Sequence, residues 1–120
     1  VAEIFQKMGY LNVEVVGGPG DHDVDIIAEK KDELDHVEHW VVQCKRYKQE
    51  TKVGGPAVAH LATAAEHEHK RATPCFVTSS DFTDDARERA GTLRVRLING
   101  VQLLELAKKY RVAVPAMRTI

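Results

Sequence analysis

Two apolar, β-branched stretches that carry polar side chains most constrain how this chain folds. The first reads Asp-Val-Asp-Ile-Ile-Ala and contains Asp25. The second, Trp-Val-Val, runs directly into Gln43, Cys44 and Lys45. Both stretches are typical of buried strands. A buried charge is costly unless it is paired or bound to a metal. An Asp, an amide oxygen and a Lys on adjacent strands therefore predict a hard-metal site beside a cation, as phosphodiester hydrolysis requires.

The apolar periodicity along the chain predicts the element order αβββαβαβα. Helices are predicted over residues 2–8, 56–71, 82–90 and 101–110, and strands over residues 11–16, 24–29, 38–45, 74–78 and 93–98. The charged segment 30–36 looks like a hairpin connection, so the first three strands are expected to form an antiparallel meander. The later strands are separated by crossover helices and are expected to pair in parallel. The predicted fold is α/β, with a central mixed five-stranded sheet flanked by helices.

Length and composition predict one soluble domain over residues 1–120, with the tail 111–120 left unassigned. Because the chain starts at Val1 rather than Met, we expect it to be a piece of a longer protein with a shortened first helix. No apolar run approaches the length that spans a membrane. The two cysteines, Cys44 and Cys75, lie in apolar strand patterns. Buried, reduced thiols in a cytoplasmic protein are therefore expected.

Charge is distributed unevenly along the chain. The net charge is −1, so the chain is not broadly basic, yet four cations follow the predicted site within eight residues: Lys45, Arg46, Lys48 and Lys52. Phosphate affinity depends on locally placed Lys and Arg, so such a run can suffice. Composition alone neither favours nor excludes a nucleic-acid partner.

The residues around these stretches resemble a known family. Residues 17–28, Gly-Gly-Pro-Gly-Asp-His-Asp-Val-Asp-Ile-Ile-Ala, and residues 42–47, Val-Gln-Cys-Lys-Arg-Tyr, are similar to the Mrr-type restriction endonuclease domain of the PD-(D/E)xK nuclease superfamily. The similarity continues through residues 52–54, 76–83, 86, 90 and 97–100. It implies a restriction-endonuclease-like fold and a metal-dependent endodeoxyribonuclease acting on double-stranded DNA. It also implies Mg²⁺ with Mn²⁺ as a substitute, a homodimer that cuts both strands, and a fused or associated recognition domain.

The resemblance also implies roles for individual residues. Asp25 would be the main metal ligand, and Gln43 stands where much of the superfamily has Asp or Glu. An amide oxygen is a neutral hard ligand acceptable to Mg²⁺. The backbone carbonyl of Cys44 is a further candidate ligand, since it points away from the cysteine side chain. Lys45, on the strand face of Gln43, would stabilise charge on the phosphate or orient the attacking water. The DNA backbone would be gripped by Arg46, Lys48 and Lys52.

Alternatives remain open at several positions. Alternation places Asp21, Asp23 and Asp25 on one strand face and Val24 and Ile26 on the other. Taken alone, this pattern fits an exposed Asp of an edge strand as well as a metal ligand. Asp23 stands where the family has Gly. The family also carries a Phe-Glu pair upstream of the segment that matches residues 1–4, and its Glu often helps the metal site. That Glu has no counterpart here, since Glu3 does not align with it. A Holliday junction resolvase-like nuclease and a non-catalytic DNA-binding module are the rival functions.

Two further groups suggest chemistry at first sight. Histidines at positions 60, 67 and 69 fall on one predicted helix, but residues two apart do not share a helix face, so a solvated surface is expected. The Ser79-Ser80 pair lacks the context of a catalytic nucleophile and is expected to cap a helix, with Asp81 or Thr83 as N-cap.

Overall fold

The computed structural model of the chain describes residues 1–16, 24–68 and 71–113. The helices are α1 (Ala2–Lys7), α2 (Gly55–Glu68), α3 (Asp84–Leu93) and α4 (Gly100–Lys109). The strands are β1 (Leu11–Val15), β2 (Ile26–Lys31), β3 (Val37–Lys45), β4 (Thr73–Thr78) and β5 (Arg96–Ile98). No helix in these ranges combines the length and apolar character needed to cross a membrane.

The five strands form one mixed sheet in the order β1-β2-β3-β4-β5. The first three pair antiparallel, whereas β3–β4 and β4–β5 pair in parallel. This arrangement confirms the predicted meander and the predicted parallel neighbours. Both crossover connections carry a helix, as parallel pairing requires. The sheet therefore brings the carboxyl ends of β3, β4 and β5 to one edge.

Each face of the sheet has its own core. Successive strand side chains point to opposite faces, so Val42 and Cys75 pack with α1 and α4, whereas Val41 and Phe76 pack with α2 and α3. The largest buried side chains are aromatic: Phe5 serves the first core, and Phe76 and Phe82 meet edge to face in the second at 5.8 Å between ring centroids. At roughly 25 cal/mol per Å² of buried apolar surface, these layers are the main stabilising term.

The end of α3 differs from the sequence prediction. A helix over residues 82–90 and a strand over 93–98 were expected, but Leu93 ends α3 and the strand begins at Arg96. Arg94 adopts the left-handed conformation, with φ 57° and ψ 42°, and its N–H bonds the carbonyl of Ala90. This closing turn ends the helix and delays the strand. At the other end, the Thr83 hydroxyl accepts the Ala86 N–H at 3.0 Å, so Thr83 is the N-cap.

The predicted alternation around Asp25 is also wrong. Val24 lies in the core under α2 and α3, while Ile26 lies in the core under α1 and α4. The two apolar residues therefore occupy opposite faces, because the chain bends at Asp25 and β2 begins only at Ile26. Asp21 and Asp23, predicted to share the face of Asp25, fall outside the described residues, as do residues 17–20 before them.

The two outer strands of the sheet are irregular or short. In β1 the register with β2 shifts between Leu11 and Glu14, and Asn12 there has a positive φ of 50°. At the opposite edge of the sheet, β5 has only three residues and pairs with residues 75–77 of β4.

Candidate active site

Asp25 lies at a bend immediately before β2, between β1 and β3. Its backbone N–H donates to the carbonyl of Val42 at 2.8 Å, and its carbonyl accepts the N–H of Val16 at 2.9 Å. Its carboxylate oxygen Oδ2 accepts the backbone N–H of Cys44 at 2.7 Å. The half-buried Asp25 is thus inside the sheet, which argues against an exposed position on an edge strand, and its side chain reaches the polar end of β3.

Gln43 and Lys45 occupy alternate positions near the end of β3 and share the face covered by α2 and α3, as their spacing predicts. Gln43 is only 6% exposed. Lys45 is half-buried, and its carbonyl accepts the Thr78 hydroxyl at 3.0 Å and the Ser79 N–H at 3.2 Å. These bonds fix the end of β3 against β4.

Cys44 points its side chain the other way, toward the core of α1 and α4. Burial, and next the nearby charge of Asp25, raise the pKa of the Cys44 thiol to about 12, so its sulfur stays protonated. In an extended strand the N–H and carbonyl of one residue point to the same side. Since the Cys44 N–H points at the Asp25 carboxylate, the Cys44 carbonyl lies toward that side too. The backbone oxygen, and not the thiol, is therefore suited to a hard cation.

The donor set can be tested against a divalent metal by its chemistry. One carboxylate, one amide oxygen and one backbone carbonyl are all hard oxygen donors, and Mg²⁺ is commonly held by one or two carboxylates together with water. In the described ranges no group of three or more His, Cys, Asp or Glu side chains is placed to hold a metal. The residues fit a hydrated Mg²⁺ with few protein ligands. His60 and His67 lie exposed on α2, in line with the expected solvated surface, and the third histidine is outside the described residues.

The three cations predicted to grip DNA lie in an exposed segment after β3, here called the basic loop (residues 46–52). The two ends of this loop are attached to the connection that follows β4. The Tyr47 N–H donates to the Ser79 hydroxyl at 2.8 Å, and that hydroxyl donates to the Tyr47 carbonyl at 2.8 Å. Further along, the Val53 N–H donates to the Asp81 carbonyl at 2.8 Å. The loop is therefore held in place through its backbone.

The prediction that Ser79 and Ser80 cap a helix is wrong. Ser79 clamps the basic loop, and the Ser80 hydroxyl lies 3.2 Å from that of Thr78. Asp81 is not the N-cap either, because its Oδ1 accepts the N–H of Phe82, the amide of Asn99 and the guanidinium of Arg87. A signal for these roles exists in the sequence, since Thr-Ser-Ser directly follows an apolar strand, but the loop that it binds lies some thirty residues earlier.

A cleft of about 850 Å³ opens at the carboxyl edge of the parallel strands. Its walls come from the basic loop, the segment 79–81 after β4, and the start of α4. Arg46, Lys48 and Lys52 line it, whereas Asp25, Gln43 and Lys45 do not. The structure thus separates the predicted site residues into two groups. Asp25, Gln43 and Lys45 lie at the junction of β2 and β3, here called the strand site. The other group is the cations that line the cleft.

The mixed sheet with helices on both faces is the restriction-endonuclease-like fold, and solved structures of this fold match the chain. One is MspJI restriction endonuclease in complex with a 27-mer oligonucleotide, with a TM-score of 0.69 and 22% identity over 95% of this chain and 26% of that one. Another is the DNA modification-dependent restriction endonuclease AspBHI, with a TM-score of 0.69 and 16% identity over 97% and 31%. A third, the protein of unknown function AF1548, has a TM-score of 0.67 and 18% identity over 90% and 62%.

The family is settled by sequence. The model of the Mrr catalytic domain, described as restriction endonuclease, matches residues 1–107, and the chain belongs to this family. The resemblance noted from the motifs is thereby confirmed. No curated protein gives a significant match. The chain spans less than two thirds of each of the three solved structures named above, and only about a quarter of MspJI.

Proposed function

We propose that this domain is a divalent-metal-dependent endonuclease that hydrolyses phosphodiester bonds in double-stranded DNA, as part of a restriction enzyme. Family membership supports nuclease chemistry, and the MspJI structure contains an oligonucleotide. Nucleases of the PD-(D/E)xK type generally depend on a divalent metal. Mg²⁺ is the proposed ion, with Mn²⁺ as a substitute, and the proposed setting is the cytoplasm.

One observation carries the proposal: the 2.7 Å hydrogen bond from the Cys44 N–H to the Asp25 carboxylate. It joins the acid to the strand on which Gln43 and Lys45 lie, and it thereby supports a single site built from residues some twenty positions apart in sequence. Within the described residues the half-buried Asp25 carboxylate accepts one hydrogen bond. It therefore retains lone pairs, because an ionised carboxylate has about four acceptor sites. This leaves acceptor capacity for a cation.

The proposed mechanism assigns a role to each residue. Asp25, Gln43 and the Cys44 carbonyl would hold the metal, which supplies Lewis acidity and lowers the pKa of water when it is bound. The Lys45 ammonium would stabilise the negative charge that develops on the phosphate oxygens. Within the described residues this ammonium forms no ion pair, so it is available to an anionic substrate. Arg46, Lys48 and Lys52 would position the DNA backbone without reading sequence.

A non-catalytic DNA-binding module is the second candidate, and the donor set is the observation that favours it. In the described ranges no group of three or more His, Cys, Asp or Glu side chains is placed to hold a metal, so few anionic donors would support the proposed ion. A junction resolvase-like nuclease would share the strand site and differ in substrate. A homodimer with one site per strand and a fused recognition domain remain part of the proposal for the whole protein.

The test is plasmid cleavage by the domain in Mg²⁺, in Mn²⁺ and in EDTA. Asp25→Asn keeps an oxygen to accept the Cys44 N–H but removes the charge, so we expect a folded protein without cleavage. Asp35→Asn is the matched control, because Asp35 lies in the turn between β2 and β3 with an 84% exposed side chain. DNA binding without cleavage by the wild type in either metal would establish the non-catalytic alternative, and cutting of four-way junctions in preference to duplexes would favour the resolvase-like one.

A further inference from the structure

The cleft lies where the fold divides. After β4 the chain turns to α3 on one face of the sheet, whereas after the neighbouring strand β5 it turns to α4 on the opposite face. Connections that leave adjacent strands toward opposite faces open a crevice at the carboxyl ends of those strands. In α/β sheets this crevice is the place where ligands bind. The cleft has this position and is separate from the strand site, whose Gln43 and Lys45 face α2 and α3.

The lining of the cleft is cationic, apolar and polar, and its one acid among the described residues, Asp81, is paired with Arg87 at 2.8 Å. The cations Arg46, Lys48 and Lys52 form no ion pair or side-chain hydrogen bond within the described part of the chain. Across from the basic loop, Val101 and Leu104 of α4 are large apolar residues that remain 66% and 43% exposed. Polar atoms of the segment 79–81 lie between these two walls. Unpaired cations suit a phosphate, and exposed apolar side chains suit a flat ring.

The walls are also held in fixed positions. Ser79 binds both backbone groups of Tyr47 in the basic loop, and a Cβ at Gly100 would collide with the Ser79 carbonyl. The Gly100 N–H donates to the Ser80 carbonyl at 2.8 Å. A single turn after β4 therefore positions both the basic wall and the apolar wall. Such preorganisation reduces the entropy that binding costs.

We propose that this cleft binds a nucleotide, either a free one or one unit of a DNA strand, at a site distinct from Asp25, Gln43 and Lys45. The phosphate is held by Arg46, Lys48 and Lys52, and the base lies against Tyr47, Val101 and Leu104. Tyr47 is 38% exposed and offers a ring on which a base can stack, as in sites for unpaired strands. The volume of about 850 Å³ is within the range of roughly 300 to 1,000 Å³ typical of small-molecule sites. This proposal rests on the proposed function in one respect, since both require that Arg46, Lys48 and Lys52 bind phosphate.

The experiment is a titration of the ¹⁵N-labelled domain, followed by NMR in EDTA so that no metal site contributes. The probes are deoxyadenosine monophosphate, deoxyadenosine, inorganic phosphate and a single-stranded tetranucleotide. We expect the monophosphate to shift amides in the basic loop and at residues 79–81 and 99–104, with affinity about tenfold or more above that of phosphate alone. Shifts from the tetranucleotide but not from the monophosphate would still support the site and identify a strand as the source of the nucleotide.

Two variants locate the site. Val101→Asp places a negative charge in the cleft at a 66% exposed position, so folding is preserved and nucleotide affinity is expected to fall about tenfold or more. Leu34→Asp is its control, because Leu34 is 89% exposed in the turn between β2 and β3 and should leave binding unchanged. Equal affinity for phosphate alone, shifts confined to other parts of the domain, or unaltered binding by Val101→Asp would each overturn the proposal. The plasmid assay on the wild type tests nuclease function separately.

Discussion

Lys45 and Arg46 are neighbours in the chain, yet they belong to regions that are held in different ways. The strand site lies within the sheet, where Gln43 is nearly buried and the Asp25 carboxylate is bonded across to β3. The basic loop lies outside the sheet with its cationic side chains exposed, and backbone bonds to Ser79 and Asp81 hold it. In the first region the Asp25 carboxylate is itself bonded to the sheet. In the second region the backbone is held, and within the described residues the side chains of Arg46, Lys48 and Lys52 form no ion pair.

The contrast fits the division of tasks that we propose, with chemistry at the strand site and DNA binding at the basic loop. Chemistry at a phosphorus atom needs groups placed with sub-ångström accuracy, and a strand pair supplies such positions more reliably than a loop does. Gripping a charged backbone needs cations that reach different phosphates, so unpaired side chains on a fixed loop are sufficient. Variants at the strand site are therefore expected to affect turnover, and variants in the basic loop to affect affinity.

The strongest test of this comparison is Lys45→Ala. We expect cleavage to fall by roughly 10² to 10³-fold, because a charge-stabilising group at the transition state is lost, while the circular dichroism spectrum stays the same. Lys108→Ala, an exposed lysine in the last turn of α4, is the control. Unchanged cutting of plasmid DNA by Lys45→Ala would remove this residue from the strand site.

The two proposed side-chain ligands can be ranked against each other. Asp25→Asn should weaken Mg²⁺ binding more than Gln43→Ala, because a formal negative charge attracts a dication more strongly than an amide does. We expect the Asp25 variant to lose about tenfold or more in affinity, measured by calorimetry. The thermal unfolding of both variants is measured as a folding control, because Gln43 is buried and its truncation leaves a cavity. Equal losses in folded variants would contradict the ranking.

The basic loop is tested by removing Lys48 and Lys52 together. If they contact phosphates, the double alanine variant should weaken all duplex sequences alike and reduce the salt slope by roughly 0.9 for each lost contact. Binding is measured over a salt series with Ca²⁺ in place of Mg²⁺ to suppress cutting. The protein has a net charge of −1, so a diffuse effect is not expected. An unaltered slope would mean that these lysines only solvate the surface.

The smallest effect is expected from Ser79→Ala. It removes two hydrogen bonds to Tyr47, each worth about 0.5 to 1.5 kcal/mol, so DNA affinity should fall a few-fold and the Tyr47 amide should exchange with solvent faster. Ser79→Thr keeps the hydroxyl and should restore both readouts. Thr92→Ala loses an exposed hydroxyl on α3 and serves as control. Faster exchange without weaker DNA binding would show that the loop need not be held.

Sequence reasoning predicted the fold, and it predicted that Asp25 lies beside the strand carrying Gln43 and Lys45, because both features depend on local patterns. Apolar stretches flanking Asp25 and Lys45 predicted two strands, and alternation correctly placed Gln43 and Lys45 on one face. It failed at Val24, where a bend at Asp25 breaks the period, and at Ser79, whose partner is Tyr47. The bend leaves no local trace, and the Thr-Ser-Ser after β4 does not reveal its partner, because each is decided by tertiary packing between distant segments. The cleft was missed for the same reason.

The outer strands of the sheet have a consequence for how this protein behaves at high concentration. An exposed strand edge is a template on which another chain can add, which leads to aggregation. Here the register of β1 shifts between Leu11 and Glu14, where Asn12 has a positive φ, and a break of this kind interrupts regular pairing along an edge. β5 offers only three residues, and Arg96 places a charge on it. Each edge strand is therefore unsuited to pairing with another chain, for a different reason in β1 and in β5. Self-association of this domain is expected to proceed through side-chain surfaces rather than by extension of the sheet.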